Sequence, residues 1–219
     1  MADAIADYDT LIAEVKAWCA RSDSTFSARM PVFVGLAEQR MYYGHGEPGD
    51  QLYSQPLRSK SMETSGTVTM TDGAGTLPDT CIDLRTITRS GDQIGLSYCP
   101  PTAWKLQNEI AVSGEKPYYY TVEGSTLKVT PSYTGDLSIT YYRKYDPVGT
   151  GNKTGAMIVE HGLLYFQAVM YEAMAFQQET EIAVAYLGRY RSMVAGINRS
   201  ALDVRASGGR VRSIARAIG

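Results

Sequence analysis

Chemistry at neutral pH needs histidines, activated thiols, paired carboxylates or a loop that cradles phosphate, and this chain offers each of these only in isolation. His45 and His161 are its two histidines. His161 follows Glu160, but no second histidine stands four residues away to complete a helical metal site. His45 lies in "YYGHGEPG", a turn-forming stretch. Cys19, Cys81 and Cys99 lack metal-type spacing and any recognisable nucleophile context, and no Gly-x-Ser-x-Gly elbow occurs. The segment "GTGNKTG" has the context of a phosphate-binding loop, after a strand and before a helix. Its spacing fails, because Asn152 separates Gly151 from Lys153 where that motif needs Gly, Lys and Ser/Thr contiguous. It reads as a flexible hinge.

Glu38 and Glu172 both lie in apolar helical contexts. Facing each other, they would resemble the paired carboxylates of a hydrolase or of a metal-binding helix bundle. The Glu-x-x-His spacing of such a bundle is missing, so the reading is structural: each carboxylate meets an arginine such as Arg40 or Arg189, or a tyrosine hydroxyl. No catalytic residue, metal or cofactor is assigned, and the expectation is a protein without enzymatic activity.

The elements that hold these residues fall into three blocks. Tyr8, Leu11, Ile12, Val15, Trp18 and Cys19 form a helical stripe from about 8 to 21, with Asp7 placed to cap it. A second helix is signalled by Pro31 in a first-turn position and by Met30, Phe33, Val34, Ala37 and Met41, and ends at Gly44 and Gly46. Beyond this the period changes to two, with Gly, Asp and Pro turn signals between short runs, which predicts an antiparallel sheet. Its clearest hairpin is Tyr118 to Thr130, turning at Glu123, Gly124 and Ser125, with Tyr120, Val122, Leu127 and Val129 on one face. Thr102 to Asn108 reads as one or two helical turns between strands.

The helical pattern then returns. One helix is expected over 156 to 177, and a tight link at "QET" leads into an antiparallel partner capped by Thr180, with Ile182, Tyr186, Tyr190, Met193 and Ile197 as its stripe. Within the first of these, "HGLLYFQAVMYEAMAF" (161–176) has one full charge, Glu172, and hardly any polar face. Such a helix must be covered on several sides. Tyr165, Met170, Tyr171, Met174 and Phe176 spread around the wheel, so some are expected at the inserted sheet or at another subunit.

The predicted fold class is therefore α+β. Residues 1–46 and 151–198 form a four-helix bundle from two N-terminal and two C-terminal helices, 47–150 an inserted antiparallel β-rich domain, and 199–219 an extended C-terminal arm.

At 219 residues, with 44% hydrophobic and 20% charged residues and a net charge of −2, the composition is that of a globular protein with no global pull toward nucleic acid or anionic lipid. Three cysteines, an odd number, read as reduced thiols. An acidic start without a basic flank, and the lack of any long apolar run, predict a soluble, intracellularly made protein with no membrane association. Tyrosine outnumbers phenylalanine sixteen to four, a bias that suits half-wet interfaces.

Charge concentrates at the C-terminal end, where Arg199, Arg205, Arg210, Arg212 and Arg216 face one acid, Asp203. As a nucleic-acid arm this segment would contact phosphates and weaken steeply with salt. As a protein-docking arm it would use Val204, Val211, Ile214 and Ile218 as anchors, with the arginines pairing carboxylates at the rim. The interleaved aliphatics favour docking.

Four segments in this order resemble the head-to-tail adaptor proteins of short-tailed bacteriophages, also described as tail tubular or head-completion proteins. "YDTLIAEVKAW" resembles their opening helix and "MPVFVGLAEQRMYYG" their Phe-Ile-x-Leu-Ala-Glu-x-Arg helix. "KPYYYTVEGSTLKVTPSYTGDLSITYYRKYDPV" resembles their Tyr-x-Ile-x-Gly hairpin and following strand, and "GLLYFQAVMYEAMAFQQETEIAVAYLGRY" their closing helical hairpin. Together they run from residue 8 to about 200. One departure is His161-Gly162, near where relatives often carry an aromatic or proline-containing start to the helix.

The resemblance implies a non-enzymatic virion protein that forms a ring of about twelve subunits beneath the portal protein. It also implies that the ring continues the DNA channel without sequence-specific binding and carries a tail nozzle or tail fibre protein below, with the sheet toward the tail and the arm on the portal. Free subunits are expected to be monomeric in the host cytoplasm until the portal templates assembly. The alternative is a DNA-binding accessory protein that uses the arginine-rich tail.

Overall fold

A computed structural model of the chain describes residues 5–89, 91, 95–112 and 116–207. Among these it is α+β, with five α-helices and seven strands. By its contacts the chain divides into two compact units, one drawn from residues 1–60 and 145–219 and the other from 61–144.

In the first unit, α1 (Tyr8–Trp18) starts where the Asp7 carboxylate accepts from the Thr10 amide at 2.7 Å, and stops when Ala20 enters the left-handed region at φ 50°. It is shorter than the stripe predicts because Cys19 already acts as the C-cap. The second helix, α2 (Ser24–Tyr43), begins well before Pro31. Asp23 caps it by accepting from the Phe26 amide at 2.9 Å, and Phe26 and Met30 are already buried in its core stripe. Pro31 therefore sits inside the helix, on its exposed side, where a missing N–H is tolerated at the cost of one ladder bond. Gly44 ends α2 at φ 72°, and a Cβ there would lie 2.5 Å from the Ser54 carbonyl oxygen. The following loop folds back, with the Leu57 amide donating to the Met41 carbonyl and the Arg58 amide to Asn198 Oδ1.

The two closing helices are α4 (Ala156–Phe176) and α5 (Thr180–Ser207). Helices α1, α2 and α5 all pack against α4. That answers how so apolar a helix is covered: Leu164, Tyr165, Ala168, Val169, Met170 and Ala173 have no exposed surface. Gln178, at φ 63°, makes the tight reversal, and Thr180 is the first residue of α5 rather than its cap.

Helix α5 continues past Asn198 to Ser207, and Ala201 is buried. The expected extended arm from 199 is thus helical over its first residues, because "RSALDVRA" contains no Gly or Pro and the first helix breaker is the Gly208-Gly209 pair. Residues 208–219 lie outside the described residues. Among the described residues no helix is long and apolar enough to cross a membrane.

The second unit holds β1 (Glu63–Met70), β2 (Ala74–Thr76), β3 (Cys81–Arg89), β4 (Ser97–Tyr98), α3 (Pro101–Ile110), β5 (Tyr119–Glu123), β6 (Thr126–Thr130) and β7 (Gly135–Arg143). Strands begin only at Glu63, later than the turn-rich sequence suggests. They make two sheets rather than one: β1-β7-β3, antiparallel, and β2-β6-β5-β4, in which β4 joins β5 in parallel. Val68, Met70, Ile87, Leu137 and Ile139 of the first sheet meet Leu127 and Val129 of the second in one core. Alternation along a strand reads the same in one sheet or in two that face each other, so the sequence pattern does not separate these cases. The β5–β6 hairpin has the expected register, with Tyr120 opposite Val129 and Val122 opposite Leu127.

Inside α4, His161 departs from helical geometry at φ −125°, ψ 35°, and kinks the helix. Its neighbour Gly162 lies against the Ile5 carbonyl: a Cβ there would fall 1.8 Å from that oxygen. Gly162→Ala is expected to displace the N-terminal segment and destabilise the helical unit by about 1–3 kcal/mol, as overpacking does. Denaturant unfolding of wild type and variant measures it.

Candidate functional site

The buried charged groups of the helical unit lie between α2 and α4, and they form two knots. In the first, the carboxylate of Glu38 accepts from the Tyr165 hydroxyl at 3.0 Å and from the Val148 amide at 2.8 Å. In the second, Arg40 Nη2 donates to Glu172 Oε1 at 3.0 Å while its guanidinium lies 4.6 Å from the centre of the Tyr171 ring. Helical spacing places Glu38 and Arg40 on opposite flanks of the α2 core stripe, so one helix offers an acid to one side of α4 and a base to the other. Next to them, the Tyr42 hydroxyl accepts from the Tyr145 amide at 3.3 Å.

Burial dominates the electrostatics here. It pushes the hydroxyls of Tyr165 and Tyr42 far above the ordinary tyrosine range, reinforced by the negative charge of Glu38. Tyr190 on α5 is raised by burial and only partly offset by Arg40. All three stay neutral, and Tyr165 and Tyr42 serve as hydrogen-bonding struts rather than bases. Arg40 keeps Nε and Nη1 enclosed without a hydrogen-bond partner among the described residues, and so does the Tyr190 hydroxyl.

The structural reading of the two acids holds. Each glutamate meets a partner of the expected kind: Arg40 for Glu172, and a tyrosine hydroxyl for Glu38. The expected alternative, Arg189, instead lies over the ring of Tyr186. Sequence reasoning missed Tyr42, Tyr145 and the Val148 amide, whose roles depend on contacts distant in the chain.

The "DPVGTGNKTG" segment is also more tied than a hinge. Val148 is buried, Asn152 donates to the Asp146 and Pro147 carbonyls, and the Lys153 carbonyl accepts from the Tyr8 amide. Lys153 Nζ reaches Asp9 at 2.7 Å.

The residues expected at a subunit or sheet interface separate by depth. Tyr165 and Met170 are fully enclosed within the chain and Met174 nearly so. Tyr171 lies under Arg40. Phe176, stacked 5.4 Å from Phe33, stays 43% exposed. Of the expected arm, Arg199 is on α5, Val204 and Arg205 lie on its backbone span, and Arg210, Val211, Arg212, Ile214, Arg216 and Ile218 fall outside the described residues. Among the described residues no group of three His, Cys, Asp or Glu side chains is placed to hold a metal ion.

The sequence profile of the SU10 adaptor protein family matches residues 6–213, both units included. The chain belongs to the SU10 adaptor protein family. Among curated proteins no sequence matches it. Membership agrees with the head-to-tail adaptor resemblance and carries a structural role in the bacteriophage virion and its assembly. In this adaptor the buried acids and bases are fastenings of a scaffold.

Two outcomes test that assignment. Arg40→Ala strands the Glu172 carboxylate and is expected to cost about 3–5 kcal/mol, and Glu38→Ala, which orphans the Val148 amide and the Tyr165 hydroxyl, about 2–4 kcal/mol, both read by denaturant unfolding. His161, whose side chain is nine-tenths buried at the kink, is held below the ordinary imidazole value by burial, partly offset by the Glu160 carboxylate at 3.7 Å. The unfolded chain therefore takes up a proton that the folded chain refuses. Stability is expected to fall as pH drops from about 7 through about 6.5 toward that lowered value, and His161→Gln should flatten the slope in a pH series of melts.

Proposed function

We propose that this adaptor assembles as a ring of about twelve subunits beneath the portal protein, continues the DNA channel and carries a tail nozzle or tail fibre protein on its far side. The observation that carries the reading is the extent of the family match, residues 6–213, which takes in the helical unit, the sheet unit and the start of the arginine-rich segment. In this reading α1, α2, α4 and α5 act as a four-helix bundle and form the wall of the ring. The sheet unit offers the platform for tail attachment, and the genome leaves through the channel without base-specific contacts.

The C-terminal arm, residues 199–219, docks on the portal. Val204, Val211, Ile214 and Ile218 bury apolar surface there, and Arg199, Arg205, Arg210, Arg212 and Arg216 pair with portal carboxylates at the rim. Until that docking contact is made, free subunits stay monomeric in the host cytoplasm, and the portal templates assembly. The virion neck is the final location.

Five arginines against one aspartate in this segment also support a second reading, DNA binding through phosphate contacts. Truncation after Ser207 separates the two. Portal binding and head completion are expected to be lost with the melting temperature unchanged, while affinity for double-stranded DNA at physiological salt stays weak with or without the segment. Intact portal binding by the truncated chain overturns the arm assignment. Tight DNA binding that weakens steeply with salt and vanishes on truncation favours the second reading.

A further inference from the structure

On the side opposite its buried stripe, helix α2 carries one exposed charge, Arg29, and is neutral from Pro31 to Tyr43. Its inner stripe, Met30, Phe33, Val34, Ala37 and Met41, is buried. From Pro31 to Tyr43 the exposed residues are Pro31, Val32, Leu36, Gln39 and Tyr43, and none carries a charge. Val32, Leu36, Gln39 and Tyr43 follow i, i+4, i+7 and i+11, a single line along the helix. The three apolar members are 42–63% exposed. A helix face left to water is normally charged or strongly polar. Phe176, in tilted ring contact with Phe26 and Phe33 of the same helix, adds exposed apolar surface from α4. At the Tyr43 end the strip opens into a cleft of about 450 Å³ lined by Leu36, Gln39, Arg40, Tyr43, His45 and Glu172.

We infer that this strip and its cleft form one half of the contact between neighbouring subunits, and that the occupant is a second copy of the chain. The inference rests on the ring reading above and adds to it the seam. Chemistry selects the occupant. A phosphate backbone or an anionic lipid surface would need a row of free cations along the strip, whereas Arg29 stands alone at its start and Arg40 is paired with Glu172.

A second copy also supplies a matching surface. Val159 and Leu163, one turn apart on α4, are more than half exposed and form a different apolar patch on the same unit. Two unlike patches on one subunit are what a head-to-tail contact repeated around a ring requires, since a two-fold dimer would pair one patch with itself.

The size of the strip sets the strength. With Phe176 it exposes on the order of 400 Å² of side chain, about half of the roughly 800 Å² per partner found in stable complexes. Subunits joined by this seam alone therefore associate weakly and need a second contact, such as the portal, to close the ring.

The test compares full-length wild type with Leu36→Asp/Tyr43→Asp, and uses Leu106→Asp/Ile110→Asp as a control that charges equally exposed apolar residues on α3. Sedimentation is followed over a wide concentration range, and rings are scored by negative staining after mixing with the purified portal protein. Wild type and control are expected to gain mass with concentration and to form rings. The strip variant should stay monomeric to at least tenfold higher concentration and form none, with circular dichroism and melting unchanged. Gln39→Arg, which adds charge without removing apolar contact, should weaken association in the same direction even if the double variant folds poorly. Rings and self-association by both strip variants at wild-type levels overturn the seam and leave the ring reading standing. Wild type that forms no ring with or without portal overturns both.

Discussion

Everything in the helical unit answers to the burial of α4. A helix with one charge between His161 and Phe176 has no solvent side of its own, so the chain wraps it with α1, α2 and α5. Full burial makes each polar group on that helix expensive unless it is met. Glu172 is met by Arg40 and the Tyr165 hydroxyl by Glu38, and both partners come from α2. The position of α2 is therefore set twice, by apolar packing and by two charged hydrogen bonds that tolerate little sliding. The same Glu38 carboxylate takes the Val148 amide, so the segment leading into α4 is fixed by the helix that covers α4.

This arrangement suits a structural adaptor. Its acids and bases are consumed in holding neighbours together, and the tyrosines beside them are kept neutral by burial. Buried ion pairs contribute little net stability against an apolar replacement, but they penalise every misplaced alternative. For a structural adaptor, a single well-defined shape matters more than a large folding free energy. The kink at His161 belongs to the same logic: with Gly162 it lets the N-terminal segment approach the helix backbone closely, at a point where any side chain would collide.

Much of this was legible in the sequence. The apolar character of α4, the Gly44 stop, the β5–β6 register and the α+β class follow from periodicity and turn chemistry, which are local. So did the partner types for Glu38 and Glu172, because a carboxylate in an apolar helix has few ways to be satisfied. The α1 and α5 stripes are only partly right, since Trp18 and Ile182 are exposed while Ala183, Leu187 and Val194 complete the buried face of α5. The errors were local too. Pro31 looked like a helix start because proline favours the first turn, yet the Asp23 cap and the buried Phe26 start α2 earlier. The arm looked extended from 199 because no stripe continued, yet helix propensity without a breaker carries α5 to Ser207.

The sequence by itself determined the order of helical and strand segments and that α4 needs cover on several sides. These properties depend on residues within a few positions of one another. Only the tertiary structure decided that the strands divide into two facing sheets, that Arg40 and not Arg189 answers Glu172, and that the loop before α4 is held by Glu38. It also decided that the outer face of α2, neutral from Pro31 to Tyr43, stays uncovered. Such outcomes are choices among partners distant in the chain, and local pattern leaves them degenerate until packing and the cost of an unmet buried charge select one.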